Sequence, residues 1–307
     1  MTDSPRREVV LEPTRCAICG TEGGADVLYP PTFEADAFNE RIFSARRLPD
    51  RIHYRMVRCR RCGLIRSDPA AVQSSLAELY EGSSFDYAAE VANLRRTYGR
   101  YLARAMRRAA GQSLLEIGCG NGFMLEEALA QGYQEVFGVE PSHDAIAAAA
   151  PQVRDHIKAD VMRPGLFPDA TFDTVCMFQV FDHIPDPGRL LDACHAVLTR
   201  RGILLLFHHN ADALSARLLG ERSPIVDIEH CYLFGPHTMR VLLEKHRFDV
   251  IEVGAATNTL SIGHLIHLLP LPAGAKSLAS RLGKVGGGNR LPLRLPLGNL
   301  YAIAAAR

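Results

Sequence analysis

The chain has no tryptophan, no surplus of either charge and no long apolar run. The missing tryptophan excludes no function. The charge balance does exclude something: Lys+Arg 35 against Asp+Glu 34 is not the basic surplus of a general nucleic-acid binder. Basic residues cluster only locally, at Arg46 and Arg47 and from Arg58 to Arg61. No apolar run reaches the ~18 residues of a spanning helix. The opening residues, Met1 to Arg7, carry no apolar signal core. A cytoplasmic location is therefore expected. What is present is 307 residues at 47% hydrophobic content, enough for one large domain and a small one.

Cysteine is not scarce. Cys16 and Cys19 form one C-x-x-C-G knuckle, and Cys59 and Cys62 form a second. Each knuckle sets two thiolates on one metal, and the following glycine permits the tight turn. Together they make a closed set of four thiolates, which suits structural zinc and leaves no position for substrate. The 39 residues between Cys19 and Cys59 exceed what a minimal ribbon needs, so an insertion is expected there. A redox pair fits poorly, because neither knuckle opens a helix after a strand. Cys119, Cys176, Cys194 and Cys231 lack the spacing and read mainly as buried small side chains. Residues 1–70 are assigned to this zinc-binding module. Residues 71–112 are assigned to a helical connector, from the helical spacing of Leu76, Leu79, Tyr80, Leu94, Tyr98, Tyr101 and Leu102. Tyr80 and Tyr87 flank Gly82-Ser83-Ser84 and are candidates to touch cofactor or substrate.

From Ser113 onward, strands and helices alternate. The expected strands are Leu114–Ile117, Glu135–Val139, Phe172–Met177, Gly202–Phe207 and, more weakly, Val153–Ala159. The expected helices are Phe123–Gln131, His143–Ala150, Gly188–Thr199 and Pro236–His246. This rhythm predicts an α/β domain with a doubly wound parallel sheet, whose ligands lie beyond the C-terminal strand ends.

The motifs fall at those ends. Leu114 to Gly122 reads as a buried strand entering a glycine-rich turn and then a helix, an arrangement that brings backbone N–H groups to a ligand. Glu140 follows the second strand, 22 residues beyond Gly118, at the distance of a carboxylate that accepts two ribose hydroxyls. Asp160 offers an acceptor for an adenine amino group.

The segments Glu116 to Gly122, Gly138 to Pro141, Lys158 to Asp160, Phe172 to Val175 and Gln179 to Ile184 together resemble class I S-adenosylmethionine-dependent methyltransferases. A dinucleotide fold is the competing reading, but its G-x-G-x-x-G spacing is absent: here the third glycine lies two residues after the second. The resemblance spans about Phe85 to Arg307. It implies a Rossmann-like methyltransferase sheet of seven strands with the last one antiparallel. It implies that Glu116, Gly118, Cys119, Gly120 and Gly122 serve the methionine end of S-adenosylmethionine, Glu140 the ribose, Asp160 the adenine edge, and Gln179 the neighbourhood of the sulfonium. The N-terminal knuckles are similar to those of bacterial small-molecule methyltransferases, including enzymes that C-methylate nucleotide-linked deoxysugars. Those enzymes carry a further C-terminal domain for which this chain is too short, which weighs against sugar C-methylation.

Three clusters are candidates for the acceptor side. Glu229 and His230 precede a Pro-initiated helix; His230 is the expected general base, oriented by Glu229, with a backbone-bonded loop residue as its other reading. His208, His209 and Asn210 follow the fifth strand and either contact the acceptor or cap the helix near Ala211. His183, beside Asp182, is expected to position rather than to take a proton. No other spacing of His, Asp and Glu suggests a catalytic metal. Residues 257–296 read as an insertion before a last strand at Asn299–Ala306, and as a substrate lid or a homodimer contact. Within it, His264 and His267 fit a core or lid helix better than a metal pair. The expected function is methyl transfer to O, C or N of a small molecule or a glycan or nucleotide-sugar precursor. The alternatives are an RNA or protein methyltransferase gripping its substrate through the zinc module, and a cofactor-binding protein without catalysis.

Overall fold

A computed structural model describes residues 11–33, 51–72, 91–261 and 292–307. Tyr80, Tyr87, His264, His267, Arg46, Arg47 and most of 257–296 lie outside them.

The N-terminal part is built from short strands: β1 (Leu11–Glu12), β2 (Ala25–Tyr29), β3 (Met56–Cys59), β4 (Ile65–Ser67) and β5 (Ala70–Ala71). Strand β5 pairs with β1, so Ala71 is strand, where the expected connector would begin as helix. Further along come α1 (Val91–Met106), β6 (Ser113–Ile117), α2 (Phe123–Gln131), β7 (Glu135–Val139), α3 (His143–Ala147), α4 (Pro151–Arg154) and β8 (Ile157–Lys158). Then follow β9 (Phe172–Phe178), α5 (Pro187–Val197), β10 (Leu198–His209), α6 (Leu214–Leu219), β11 (Tyr232–Leu233), α7 (Pro236–Lys245), β12 (Phe248–Ser261) and β13 (Pro292–Ala306).

Seven strands form the main sheet, in the order β12-β13-β10-β9-β6-β7-β8. Strand β13 runs antiparallel to both of its neighbours, while β10, β9, β6, β7 and β8 are mutually parallel. Such strands are apolar on both faces because helices cover both. One face packs Leu190, Leu191 and Cys194 of α5 and Met239, Leu242 and Leu243 of α7. The other packs Tyr98, Tyr101 and Leu102 of α1 and Met124, Leu125 and Ala128 of α2.

Three expectations shift. The weak strand at Val153–Ala159 contracts to Ile157–Lys158, because Pro151 opens α4 at its first position, where its missing N–H costs nothing. The last strand starts at Pro292 rather than Asn299. Its long partner β12 is the seventh strand that the resemblance implies, at a position the expected strands did not include. The two pair through Ser261↔Pro292, so both ends of the 257–296 stretch are strand.

The N-terminal module is not a separate body. Its sheet runs β11-β4-β3-β2, and β11 comes from the methyltransferase-like half. Cys16, Tyr54, Cys59 and Leu64 share one apolar cluster with Ile228, Tyr232, Phe234 and Met239. Lys245 at the end of α7 donates to the carbonyls of Ala17 and Ile18 in the first knuckle. Among the described residues, no helix is long and apolar enough to cross a membrane.

Candidate active site and cysteine centre

The donor side begins in the middle of the sheet. Strand β6 buries Leu114, Leu115, Glu116 and Ile117. Glu116 is the one acid in this apolar layer, opposite Gly138 on β7 and Cys176 on β9. Its Oε2 has no hydrogen-bond partner. Burial, and then the charge of Glu140, push its pKa well above the usual carboxylate range. A ligand cation at this point would favour the ionised carboxylate and oppose that shift.

The turn after β6 needs its glycines. Gly118, Gly120 and Gly122 have φ of 70°, 55° and 72°, where an L side chain is strained. A Cβ on Gly118 would stand 2.5 Å from Val180 Cγ2. Gly122 caps α2 without a side chain, leaving the first N–H groups of the helix open to a ligand. Glu140, after β7, folds back on this turn. Its Oε2 accepts from the Gly120 amide at 2.9 Å and its Oε1 from the Ser142 amide at 2.9 Å. Burial raises its pKa, against the pull of those two bonds. Cys119 is buried with its sulfur against the position of Gly138, and so shapes the turn from inside the core.

Asp160 lies further along the same edge and is partly exposed. Burial opposes its ionisation, but bonds from Arg163 and from the Val161 amide outweigh this and lower its pKa. Gln179 follows β9 in a left-handed conformation, φ 59°. Its amide N–H donates to the Phe207 carbonyl at 2.7 Å, and its side chain reaches Asn299. These residues all converge on the C-terminal edge of the parallel strands. A purine nucleoside bearing an amino-acid tail fits that donor set: amides and a buried acid at one end, carboxylates along the rest.

The acceptor side centres on a residue named only as the neighbour of His183. Asp182 is fully buried and faces three imidazoles. His209 Nδ1–H donates to its Oδ2 at 2.7 Å. His183 Nε2 stands 3.7 Å from Oδ1, and His230 Nε2 stands 3.8 Å from Oδ2. Burial opposes the charge of Asp182, but His209 first, and then His183 and His230, hold its pKa well below the usual range.

This geometry corrects two roles. His230 was expected to be oriented by Glu229, yet the carboxylate before its Nε2 is Asp182, while Glu229 Oε2 lies 3.8 Å from His183 Nδ1. His230 is nearly buried, and burial followed by the charge of His209 hold its pKa well below 6.5. His208 was a candidate to touch the acceptor. It is 0% exposed, packed against Phe181 and Phe234, with Nδ1 on the His209 carbonyl, and it belongs to the core. Asn210 is also buried; its Oδ1 accepts from the Asp212 amide in a turn, and the helix begins later, at Leu214. His209, with a quarter of its side chain exposed, is the member of that trio that faces outward. No spacing rule pointed to Asp182, because His209 reaches it from the end of β10 and His230 from the loop before β11.

The four module cysteines come together. The sulfurs of Cys16 and Cys62 are 3.3 Å apart and those of Cys19 and Cys59 3.6 Å, with all four within 4.8 Å of one another. A tetrahedral ion with S at about 2.3 Å spaces its sulfurs by about 3.8 Å. Gly20 and Gly63, φ 70° and 76°, make the knuckle turns. The module also braces the acceptor side, since Ser67 Oγ donates to the His230 carbonyl at 2.8 Å.

Parts of this chain are similar to known proteins. A ubiquinone biosynthesis O-methyltransferase of Psychrobacter arcticus is 30% identical over 105 residues, 32% of this chain and 40% of the relative. One from Nitrobacter winogradskyi is 36% identical over 107 residues, 33% of this chain and 40% of the relative. A probable S-adenosylmethionine-dependent methyltransferase of Mycobacterium tuberculosis is 28% identical over 175 residues, 48% of this chain and 61% of the relative. The chain thus spans about two fifths of the length of the first curated relatives it matches. Among solved structures, a methyltransferase of Archaeoglobus fulgidus covers 72% of this chain and 100% of its own, at 19% identity and a TM-score of 0.47. A family model described as a methyltransferase domain matches residues 91–253, more than half of the chain. By that match the chain belongs to the methyltransferase domain family.

Proposed function

We propose that this protein transfers a methyl group from S-adenosylmethionine to a small-molecule acceptor, with a hydroxyl oxygen as the favoured atom. The observation that carries the reading is Glu116: a buried carboxyl with an unpartnered oxygen, set behind a three-glycine turn. S-adenosylmethionine, when bound, supplies a methyl already activated by its sulfonium. The chain's work is then alignment and proton handling. Glu116 and the Gly118–Gly122 amides hold the methionine end, Glu140 takes the ribose hydroxyls, and Asp160 takes the adenine edge. Gln179 stands beside the reacting centre.

On the acceptor side, His209 is the proton acceptor and Asp182 orients it, a pairing that stabilises the imidazolium formed. Glu229, His183 and His230 complete the wall that the acceptor meets. The names of the ubiquinone O-methyltransferases support oxygen as the methylated atom. A glycan or nucleotide-sugar precursor falls within the same acceptor class. Zinc at Cys16, Cys19, Cys59 and Cys62 holds the module closed and takes no part in the chemistry.

Calorimetry with S-adenosylmethionine, followed by a turnover assay over phenolic, hydroxy-acid and sugar acceptors, tests the reading. Stoichiometric donor binding and S-adenosylhomocysteine release with at least one acceptor are expected. Donor binding with no turnover on any acceptor would leave a binding protein. Turnover on RNA or protein alone would replace the small-molecule class.

A further inference from the structure

We propose a second metal centre, distinct from the four cysteines: Asp182, His183 and His230 hold a divalent transition-metal cation at the acceptor wall. The three residues offer one carboxylate oxygen and two imidazole nitrogens, with ligand atoms all within 4.8 Å of one another. They arrive from two segments, the turn after β9 and the loop before β11, and meet at the C-terminal edge of the sheet.

Two observations point to a bridging cation. Asp182 is wholly buried, yet its Oδ1 has no hydrogen bond. The His183 and His230 nitrogens facing the carboxylate stand 3.7 and 3.8 Å away, beyond hydrogen-bond length. An ion with bonds of about 2.1 Å spans ligand atoms up to about 4.2 Å apart, so it reaches across the gap between His183 Nε2 and Oδ1, and His230 completes a set whose ligand atoms lie within 4.8 Å of one another. The two imidazole rings stand edge to face, with centroids 4.8 Å apart, and small side-chain shifts would bring both nitrogens to one ion.

The surroundings resemble the outer layer of a metal site. Glu229 Oε2 lies 3.8 Å from His183 Nδ1, the nitrogen opposite the one that faces Asp182. His209 donates to Asp182 Oδ2, which directs the other oxygen toward the ion. The His209–Asp182 bond is a relay of the kind that fixes ligand orientation, and Glu229 sets a negative charge on the far side of His183. A mixed N2O set suits Mn2+, Fe2+, Co2+ or Zn2+ rather than the softer all-thiolate chemistry of the module. Three protein ligands leave positions open, and an acceptor hydroxyl or a pair of vicinal oxygens is the ligand class that fits them. His209 stays outside this set and keeps its role as proton acceptor.

The test uses the full chain with its cysteines filled with zinc, and needs neither donor nor acceptor, so it stands or fails apart from methyl transfer. Co2+ is titrated and followed by visible absorption, and bound Mn2+ is counted by electron paramagnetic resonance. One equivalent of either ion per chain is expected, with cobalt d–d bands lacking sulfur-to-metal charge transfer. His183→Gln and His230→Gln should each weaken that binding at least ~10-fold, and Glu229→Gln by about 10-fold through His183. Circular dichroism and thermal melting confirm that each variant is folded. No bound equivalent in the wild-type chain, cobalt bands of thiolate character only, or full binding retained in folded His183→Gln and His230→Gln would overturn the proposal.

Discussion

The two sides proposed for the site, donor and acceptor, are made in different ways. Glu116, Gly118, Gly120 and Gly122 sit on one strand–turn–helix unit, and Glu140 reaches back to the same turn by a single hydrogen bond. The acceptor wall is assembled from Asp182 and His183, His209, and Glu229 with His230, and it is tied to the N-terminal module through Ser67. The first is local backbone geometry. The second is tertiary convergence. A change on one side should therefore be read out on that side alone.

The sharpest separation is expected at His209. His209→Ala should lower kcat by about 10²–10⁴-fold, the usual worth of a positioned base. Donor affinity measured by calorimetry should move less than ~2-fold, and a parallel loss of donor binding would merge the two sides. Next comes Gly118→Val, which places a side chain 2.5 Å from Val180 at φ 70°. Backbone strain and the clash predict a donor affinity at least ~100-fold weaker.

Glu116→Gln is expected to act in two opposed directions. The fold raises the Glu116 pKa above its ordinary 4.5. The protonated acid therefore favours the folded chain fully below pH 4.5, and that contribution is lost as pH rises through the folded value. The glutamine variant does not lose it, so the donor-free variant should melt a few degrees higher than wild type at pH 7–8. Below pH 4.5 the two should melt together. Donor affinity should fall by about 10-fold, because a charged hydrogen bond is lost. A lower melting temperature at neutral pH would show that Glu116 already has a partner in the free chain. The smallest effect is Ser67→Ala. Loss of one buried hydrogen bond predicts about 1 kcal/mol of stability and a few-fold loss in turnover. Equal loss of donor affinity would mean that the module braces the whole cleft.

The same contrast governs what could be read from the chain. Residues 114–122 announce a strand, a turn and a helix because each step is local: apolar β-run, glycines at left-handed positions, then helical spacing. Glu140 and Asp160 follow from the alternation, since each falls just beyond a strand. The knuckles carry their own spacing, and the sulfurs meet as that spacing implies. Strand β12 was missed because Phe248 to Ser261 follows helix α7 without a strong turn signal and its second half, from Gly254, mixes small and polar residues with few apolar ones. The Asp182 cluster was missed for a different reason. No spacing rule links positions 182, 209 and 230; only the sheet order and the β11–β4 pairing bring them together. His208 and His209, adjacent in the chain, illustrate the limit. Strand alternation sends one ring into the core and the other toward the cleft, and the dipeptide alone does not say which.

The pairing of β11 with β4 also sets a timetable for the growing chain. All four cysteines and three of the four module strands are synthesised within the first 67 residues. The fourth strand, Tyr232–Leu233, follows about 165 residues later. At the usual ribosomal rate of ~5–20 residues per second, that delay is on the order of ten seconds or more. Throughout it, the free edge of β4 exposes unpaired backbone groups of the kind that recruit other strands. A nascent chain stalled before Tyr232 would therefore be sticky at that edge, and early metal capture by the knuckles would not cure it.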